Sequence, residues 1–154
     1  MASIKNYDCI VVTPWVSLGI FGHLNEISAI DFLADNAQTV NEDLALSRLV
    51  QQYIEQKKLP KTLKLKPQGT PFQRKVWSIM QTIPFGQTLT YKQLAITAGS
   101  GPRAVANACR ANPIPLLIPC HRVVASNGLG GFAGQTQGRL VRLKQQLLQW
   151  EGAI

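Results

Sequence analysis

TYKQLAITAGSGPRAVANACRANP, residues 90–113, decides how the second half of this chain folds. Thr90 and Gln93 stand three apart in a capping-box pattern, in which the hydroxyl and the amide each satisfy a backbone N–H that the first helical turn leaves open. Tyr91, Leu94, Ala95 and Ala98 then share one helical face, and Gly99 supplies the stop. Ser100-Gly101-Pro102 is a three-residue connection into a further helix, 102–111. Asn112-Pro113 ends it, because a residue before proline is pushed out of the helical region. Two short helices joined by a glycine-containing turn are helix-turn-helix grammar.

Working back towards the N-terminus, TPFQRKVWSIMQTI (70–83) carries the same signals, with Thr70 as cap, Pro71 at the first helical position and Gln73 closing the box. Phe72, Val76, Ile79, Met80 and Ile83 form its expected buried stripe. KKLPKTLKLKP (57–67) reads as a basic, proline-bounded linker, so the spacing divides the chain into domains 1–66 and 67–154. In the first, CIVV (9–12), WVSLGIF (15–21) and ISAIDFL (27–33) read as three strands of an antiparallel meander. A polar loop covers 34–41. Leu46, Leu49, Val50 and Tyr53 predict an amphipathic helix over 42–57, with Glu42 and Asp43 in its first turn. The expected fold class is α+β: a small N-terminal antiparallel sheet with a helix, followed by a mainly helical domain.

Charge is unevenly placed. The net charge is +8. Residues 1–67 hold seven Lys/Arg against seven acids, whereas residues 68–154 hold nine against one, Glu151. An excess confined to one domain points to a polyanionic partner, most simply nucleic acid; a basic surface kept for solubility is the alternative. The 102–111 helix presents Arg103, Asn107 and Arg110 among four alanines, Ala104 included. Such small residues either let a helix approach a narrow groove, with an arginine reaching in, or simply pack against the neighbouring helix. No run of about 18 apolar residues and no basic-then-apolar leader is present, and the three cysteines show no paired spacing. These features predict a reduced, cytoplasmic protein without a membrane span.

IPCHRVV (118–124) sets one of those cysteines apart. Cys9 and Cys109 fall in a strand and a helix, as small buried hydrophobes do. Cys120 lies between an apolar run and His121-Arg122, in a half that is nearly all positive, and positive charge favours thiolate over thiol. The alternative is a buried cysteine beside a solvent-facing His-Arg pair. If His121 takes the thiol proton, a carboxylate should orient the imidazole, and Glu151 is the one available in this half. As sequence neighbours, Cys120 and His121 would need a water between them. A plain salt bridge from Glu151 to Arg122 or another basic residue is the competing role.

GTPFQRKVW, IPFGQTLTYKQLA, RAVANACRANP, IPCHRV and WEG together resemble the O6-alkylguanine-DNA alkyltransferases, or methylated-DNA-protein-cysteine methyltransferases. The likeness is dense from Gly69 to Val124 and resumes at 131–134 and 144–152; residues 1–67 match only in pattern. The resemblance implies a ribonuclease-H-like N-terminal domain and a winged helix-turn-helix-like C-terminal domain. It implies a monomer that binds double-stranded DNA through the minor groove and flips out O6-alkylguanine, and O4-alkylthymine, moving the alkyl group irreversibly to its own Cys120. It implies His121 as the base acting through water, Glu151 as its orienting group and Asn112 as the hinge to the cysteine loop. Tyr91 would crowd the phosphate and help protonate the leaving guanine. The carbonyls of Cys120 and Val123, with Phe132 and the Ala133 backbone, would hold the base. Arg103 would enter the stack, with Ala104, Asn107, Arg110 and Tyr91 on the DNA.

No cofactor is implied, and no Cys/His grouping offers the zinc site some relatives carry. Three departures stand out: Gln135 where a glycine is common, Ala133 where some relatives have serine, and a longer link over 136–143. They bear on how bulky a substituent is admitted. A non-enzymatic, lesion-binding helix-turn-helix protein is the alternative in the binding class, against which the retained Cys120 speaks. A cysteine hydrolase is the third, disfavoured by the basic half and the lack of an oxyanion-hole motif.

Overall fold

A computed structural model describes residues 6–33, 44–132 and 135–154, and its contacts divide the chain into two compact units, Met1–Lys66 and Pro67–Ile154. Among the described residues no helix is long and apolar enough to cross a membrane.

In the first unit β1 (Cys9–Val12), β2 (Ser17–His23) and β3 (Glu26–Leu33) run antiparallel, with Cys9 opposite Ile20 and Ile20 opposite Ile30. Those residues and Leu18 lie on the buried face, where α1 (Leu44–Gln56) contributes Leu46, Val50 and Tyr53. The expected polar loop and the acids Glu42 and Asp43 lie outside the described residues. The sheet is not wholly antiparallel: within the supposed linker, β4 (Lys64–Leu65) pairs parallel with β3, Lys64 and Lys66 donating to the carbonyls of Asn25 and Ile27 at 2.8 Å. Leu63 is buried and anchors this strand. A two-residue ladder between lysines has too little apolar pattern to announce itself.

The second unit is built on α2 (Pro71–Met80), α3 (Tyr91–Ala98) and α4 (Pro102–Arg110), which pack on one another. Both threonine caps accept from the glutamine N–H three residues on at 3.1 Å, and each glutamine Oε1 accepts from the threonine N–H at 2.9 Å. Gly99 closes α3 with φ 68°, a left-handed conformation that costs glycine little. On α2 the buried residues are Val76, Trp77 and Met80, so Trp77 joins the expected stripe, while Phe72 and Ile79 are only partly covered. Trp77 Nε1 donates to Ala108 O at 2.8 Å, tying α2 to α4. After α4 comes the buried run Ile114–Ile118 and a single 3₁₀ turn, Cys120–Arg122. Next, β6 (Val123–Val124) pairs parallel with β5 (Leu89–Thr90), and α5 (Arg139–Glu151) completes the unit.

Candidate active site

The cysteine loop is held by hydrogen bonds from two sides. On the α4 side, Asn112 Nδ2 donates to Ile118 O and its Oδ1 accepts from Ile114 N, both at 2.9 Å, so one amide clasps the entry to the loop. Leu116, inside the clasp, is buried with φ 76°, a strained conformation for a branched side chain. On the α5 side, Glu151 receives four donors. His121 Nε2 and Arg122 Nη2 meet Oε2, the latter at 3.1 Å; Arg122 Nε at 2.7 Å and Gly86 N at 3.2 Å meet Oε1. Arg122 also donates to Ile83 O at 2.8 Å and lies over the Phe85 ring. The solvent-facing His-Arg pair is thereby excluded: His121 is fully buried and Arg122 is 7% exposed. Glu151 serves both partners at once, so its two competing roles coexist.

These contacts fix the proton positions. Burial pushes the Glu151 carboxyl up, but the hydrogen bonds and charges of His121 and Arg122 outweigh it and leave it below the usual carboxylate range. Burial holds His121 below the usual imidazole range despite Glu151. A neutral imidazole facing an ionised carboxylate carries its hydrogen on Nε2, which leaves the lone pair on Nδ1. That atom is buried and makes no hydrogen bond within the protein.

The expected thiolate is not what the environment favours. Burial pushes the Cys120 thiol up to about 11, and the Asn112 amide and the Lys144 ammonium recover only part of that. Desolvation outweighs nearby positive charge, so the resting residue is a thiol that needs a base.

Cys120 opens onto a cleft of about 180 Å³ that is also lined by Tyr91, Cys109, Arg110, Phe132 and Gln135. This is well below the roughly 300–1,000 Å³ of sites for drug-sized ligands and suits a small planar group. Tyr91 is half-buried with its hydroxyl 3.5 Å from Gly131 O, and burial pushes its phenol up to about 12, so it stays protonated. Phe132 and Gln135 exchange backbone hydrogen bonds of 2.8 and 3.0 Å at the rim. Ala133 lies outside the described residues. The carbonyls expected to hold a base already have one partner each: Cys120 O accepts from Val123 N, and Val123 O from Lys144 Nζ at 2.7 Å. A carbonyl has two lone pairs, so each retains acceptor capacity.

On α4, Val105, Ala108 and Cys109 face inward, while Arg103, Ala104, Asn107 and Arg110 are exposed. The alanines thus divide between packing and an open surface. Arg110 alone of these four also lines the cleft.

Sequence reasoning missed Lys144, a fully buried cation whose ammonium donates to Val123 O, Leu129 O and Gly131 O at 2.7, 2.6 and 2.9 Å. It therefore braces the strand after the cysteine and the rim of the cleft together. The available signal was helical spacing: Lys144, Leu147, Leu148 and Glu151 share the buried face of α5. Among the described residues no group of His, Cys, Asp and Glu is suited to a metal ion.

The family model described as 6-O-methylguanine DNA methyltransferase, DNA binding domain, matches residues 71–153. A probable methylated-DNA–protein-cysteine methyltransferase of Acanthamoeba polyphaga mimivirus is 56% identical over 72 residues, 46% of this chain and 48% of that protein. A methylated-DNA–protein-cysteine methyltransferase of Saccharolobus solfataricus is 49% identical over 82 residues, 53% of this chain and 51% of that protein. The chain thus spans about half the length of the curated relatives it matches. Across nearly its whole length it is similar to the solved O6-methylguanine methyltransferase of Mycobacterium tuberculosis, with TM-score 0.74 and 28% identity over 94% of this chain and 91% of that one. The structure of the M. tuberculosis OGT in complex with DNA gives 0.76 and 29% over the same shares.

Proposed function

The chain belongs to the 6-O-methylguanine DNA methyltransferase family, and from that premise we propose that it repairs DNA by moving the alkyl group of O6-alkylguanine to its own Cys120, once per molecule. O4-alkylthymine is the second substrate of this reading. The single observation that carries it is the buried thiol on the cleft, beside an imidazole whose Nε2 is engaged by Glu151 and whose Nδ1 has no protein partner.

In this mechanism His121 Nδ1 takes the Cys120 proton through a water. Glu151 stabilises the imidazolium that forms. The sulfur attacks the alkyl carbon, the S–C bond forms as the C–O6 bond breaks, and the electron pair leaves on guanine. Tyr91, held protonated by its burial, supplies the proton that makes the leaving base neutral. The thioether has no resolving thiol in the scheme, so the molecule is spent.

A lesion inside a stacked duplex is reachable only after the nucleotide flips out. Arg103, exposed on α4, fills the gap, and the small Ala104 and Asn107 let α4 approach the minor groove with Arg110 beside the cleft. Asn112 is the hinge between α4 and the thiol loop, and the Cys120 and Val123 carbonyls, Phe132 and the Ala133 backbone receive the base. The protein acts as a monomer. Residues 1–66 form a ribonuclease-H-like support domain, and residues 67–154 a winged helix-turn-helix-like domain that binds and reacts.

The test is the intact mass of the protein after incubation with a duplex carrying one O6-methylguanine, followed by peptide mapping. The expected result is a gain of one CH₂ on Cys120, reaching one per protein. Tight, salt-sensitive binding without any mass gain would overturn transfer in favour of lesion binding alone.

A further inference from the structure

The first unit has as many bases as acids in residues 1–67, yet its lysines are not spread evenly. Lys58, Lys61, Lys64 and Lys66 fall within nine residues, a stretch that contains no acid, and all four are exposed. None takes part in an ion pair among the described residues.

This stretch is fixed rather than free. Pro60 and Leu63 are buried, Leu63 N donates to Pro60 O at 3.0 Å, and Asn25 Nδ2 donates to Thr62 O at 2.6 Å. The ladder of β4 then holds Lys64 and Lys66 two residues apart, on the same side of an edge strand and about 6.6 Å from one another. Lysine on an edge strand also blocks strand-to-strand aggregation, but that role asks nothing of Lys58 and Lys61, which precede the strand. Nearby acids are few: Glu26 is opposite Lys64 in register, and Asp8 and Glu26 border a cleft beside Lys66. The excess positive charge lies towards Lys58 and Lys61.

We propose that this lysine ridge of the first unit is a second binding surface for the phosphate backbone of duplex DNA, separate from α4 and indifferent to the lesion. The backbone beneath these four lysines is already ordered by hydrogen bonds, so binding costs side-chain freedom alone, and each phosphate they neutralise releases counterions. An acidic protein surface would match the sign as well. DNA is favoured because the second unit belongs to a DNA-binding family, so the chain is already concentrated on that polyanion. The proposal rests on that reading of the second unit.

The experiment measures affinity for an unmodified duplex as a function of salt, for the full chain and for a variant carrying Lys58→Gln, Lys61→Gln, Lys64→Gln and Lys66→Gln. Each phosphate contact contributes about 0.9 to the slope of log K against log salt. The full set therefore accounts for at most about 3.6, and the neighbouring acids bring the expected drop to about 2–3. The corresponding Lys→Arg variant should restore the parent slope, which separates charge from any damage to β4. An unchanged slope in a folded Gln variant would overturn the proposal and leave the ridge to an acidic protein or to solvent. No salt-sensitive binding by the parent would overturn the DNA reading of the second unit, and this proposal with it.

Discussion

Glu151→Gln changes one oxygen into an NH₂ group at a point where four donors converge: His121 Nε2, Arg122 Nε and Nη2, and Gly86 N. Glutamine offers a single acceptor oxygen and must aim its own N–H at one of these donors. A guanidinium does not give up its proton, so the oxygen turns to Arg122 and the NH₂ faces His121. The imidazole answers by moving its hydrogen from Nε2 to Nδ1. Nδ1 can then no longer receive the Cys120 proton. With the thiol at about 11, unassisted ionisation at pH 7 leaves about one thiolate in 10⁴. Transfer should therefore slow by about 10²–10⁴-fold, or roughly 3–5 kcal/mol of barrier. Leaving Arg122 buried without its anion should also cost about 3–5 kcal/mol of stability, a large share of the roughly 5–15 kcal/mol that holds a domain together. The assay is single-turnover transfer from an O6-methylguanine duplex, under conditions where a urea titration shows the variant folded, with ¹⁵N shifts reporting the His121 tautomer. A folded variant that transfers within about threefold of the parent and keeps its hydrogen on Nε2 would refute this reasoning.

Arg103→Ala should slow repair of a lesion in duplex far more than reaction with free O6-benzylguanine, which needs no flipping; equal slowing would remove the arginine from that step. Gly69→Ala should destabilise by about 1–3 kcal/mol in a urea titration, because its Cβ would lie 2.4 Å from the ring of Trp77, and that ring is pinned by its bond to Ala108 O. Stability should pass through a maximum near pH 9. Burial lowers Lys144 from 10.5 to about 8, so the unfolded chain holds that proton longer and stability climbs with pH above about 8. Burial raises Cys120 and Cys109 from 9.0 to about 11 and about 12, so their contribution is complete below pH 9 and is lost as pH rises through those values. Two thiols outweigh one lysine above pH 9, and Cys109→Ala should flatten the alkaline fall.

The helices that carry the site were legible because their signals are local. Thr70 and Gln73, Thr90 and Gln93, and Gly99 occupy their capping positions through bonds spanning a few residues. The thiol, the imidazole and the carboxylate were legible for a different reason, since residues 68–154 offer a single acid. What the sequence concealed depends on distant packing. Arg122 reads as a surface charge until Ile83 O, Phe85 and Glu151 enclose it. Lys144 reads as part of a positive field until three carbonyls converge on its ammonium. The ionisation of Cys120 was misread on the same account: counting nearby cations gives the sign of their effect, but the depth of burial that exceeds it is set by residues as far apart in sequence as Tyr91 and Thr136 closing round the cleft. β4 escaped because a parallel partner strand 38 residues away leaves no local trace.

Glu151 follows His121 by 30 residues. A ribosome moving at about 5–20 residues per second completes the cysteine loop roughly 1.5–6 s before it adds that carboxylate, and α5 must then leave the exit tunnel and dock. Until it does, the nascent chain carries Cys120 as an ordinary thiol with no oriented imidazole beside it. Transfer by the mechanism proposed above thus waits until α5 has been made and has docked against the cysteine loop.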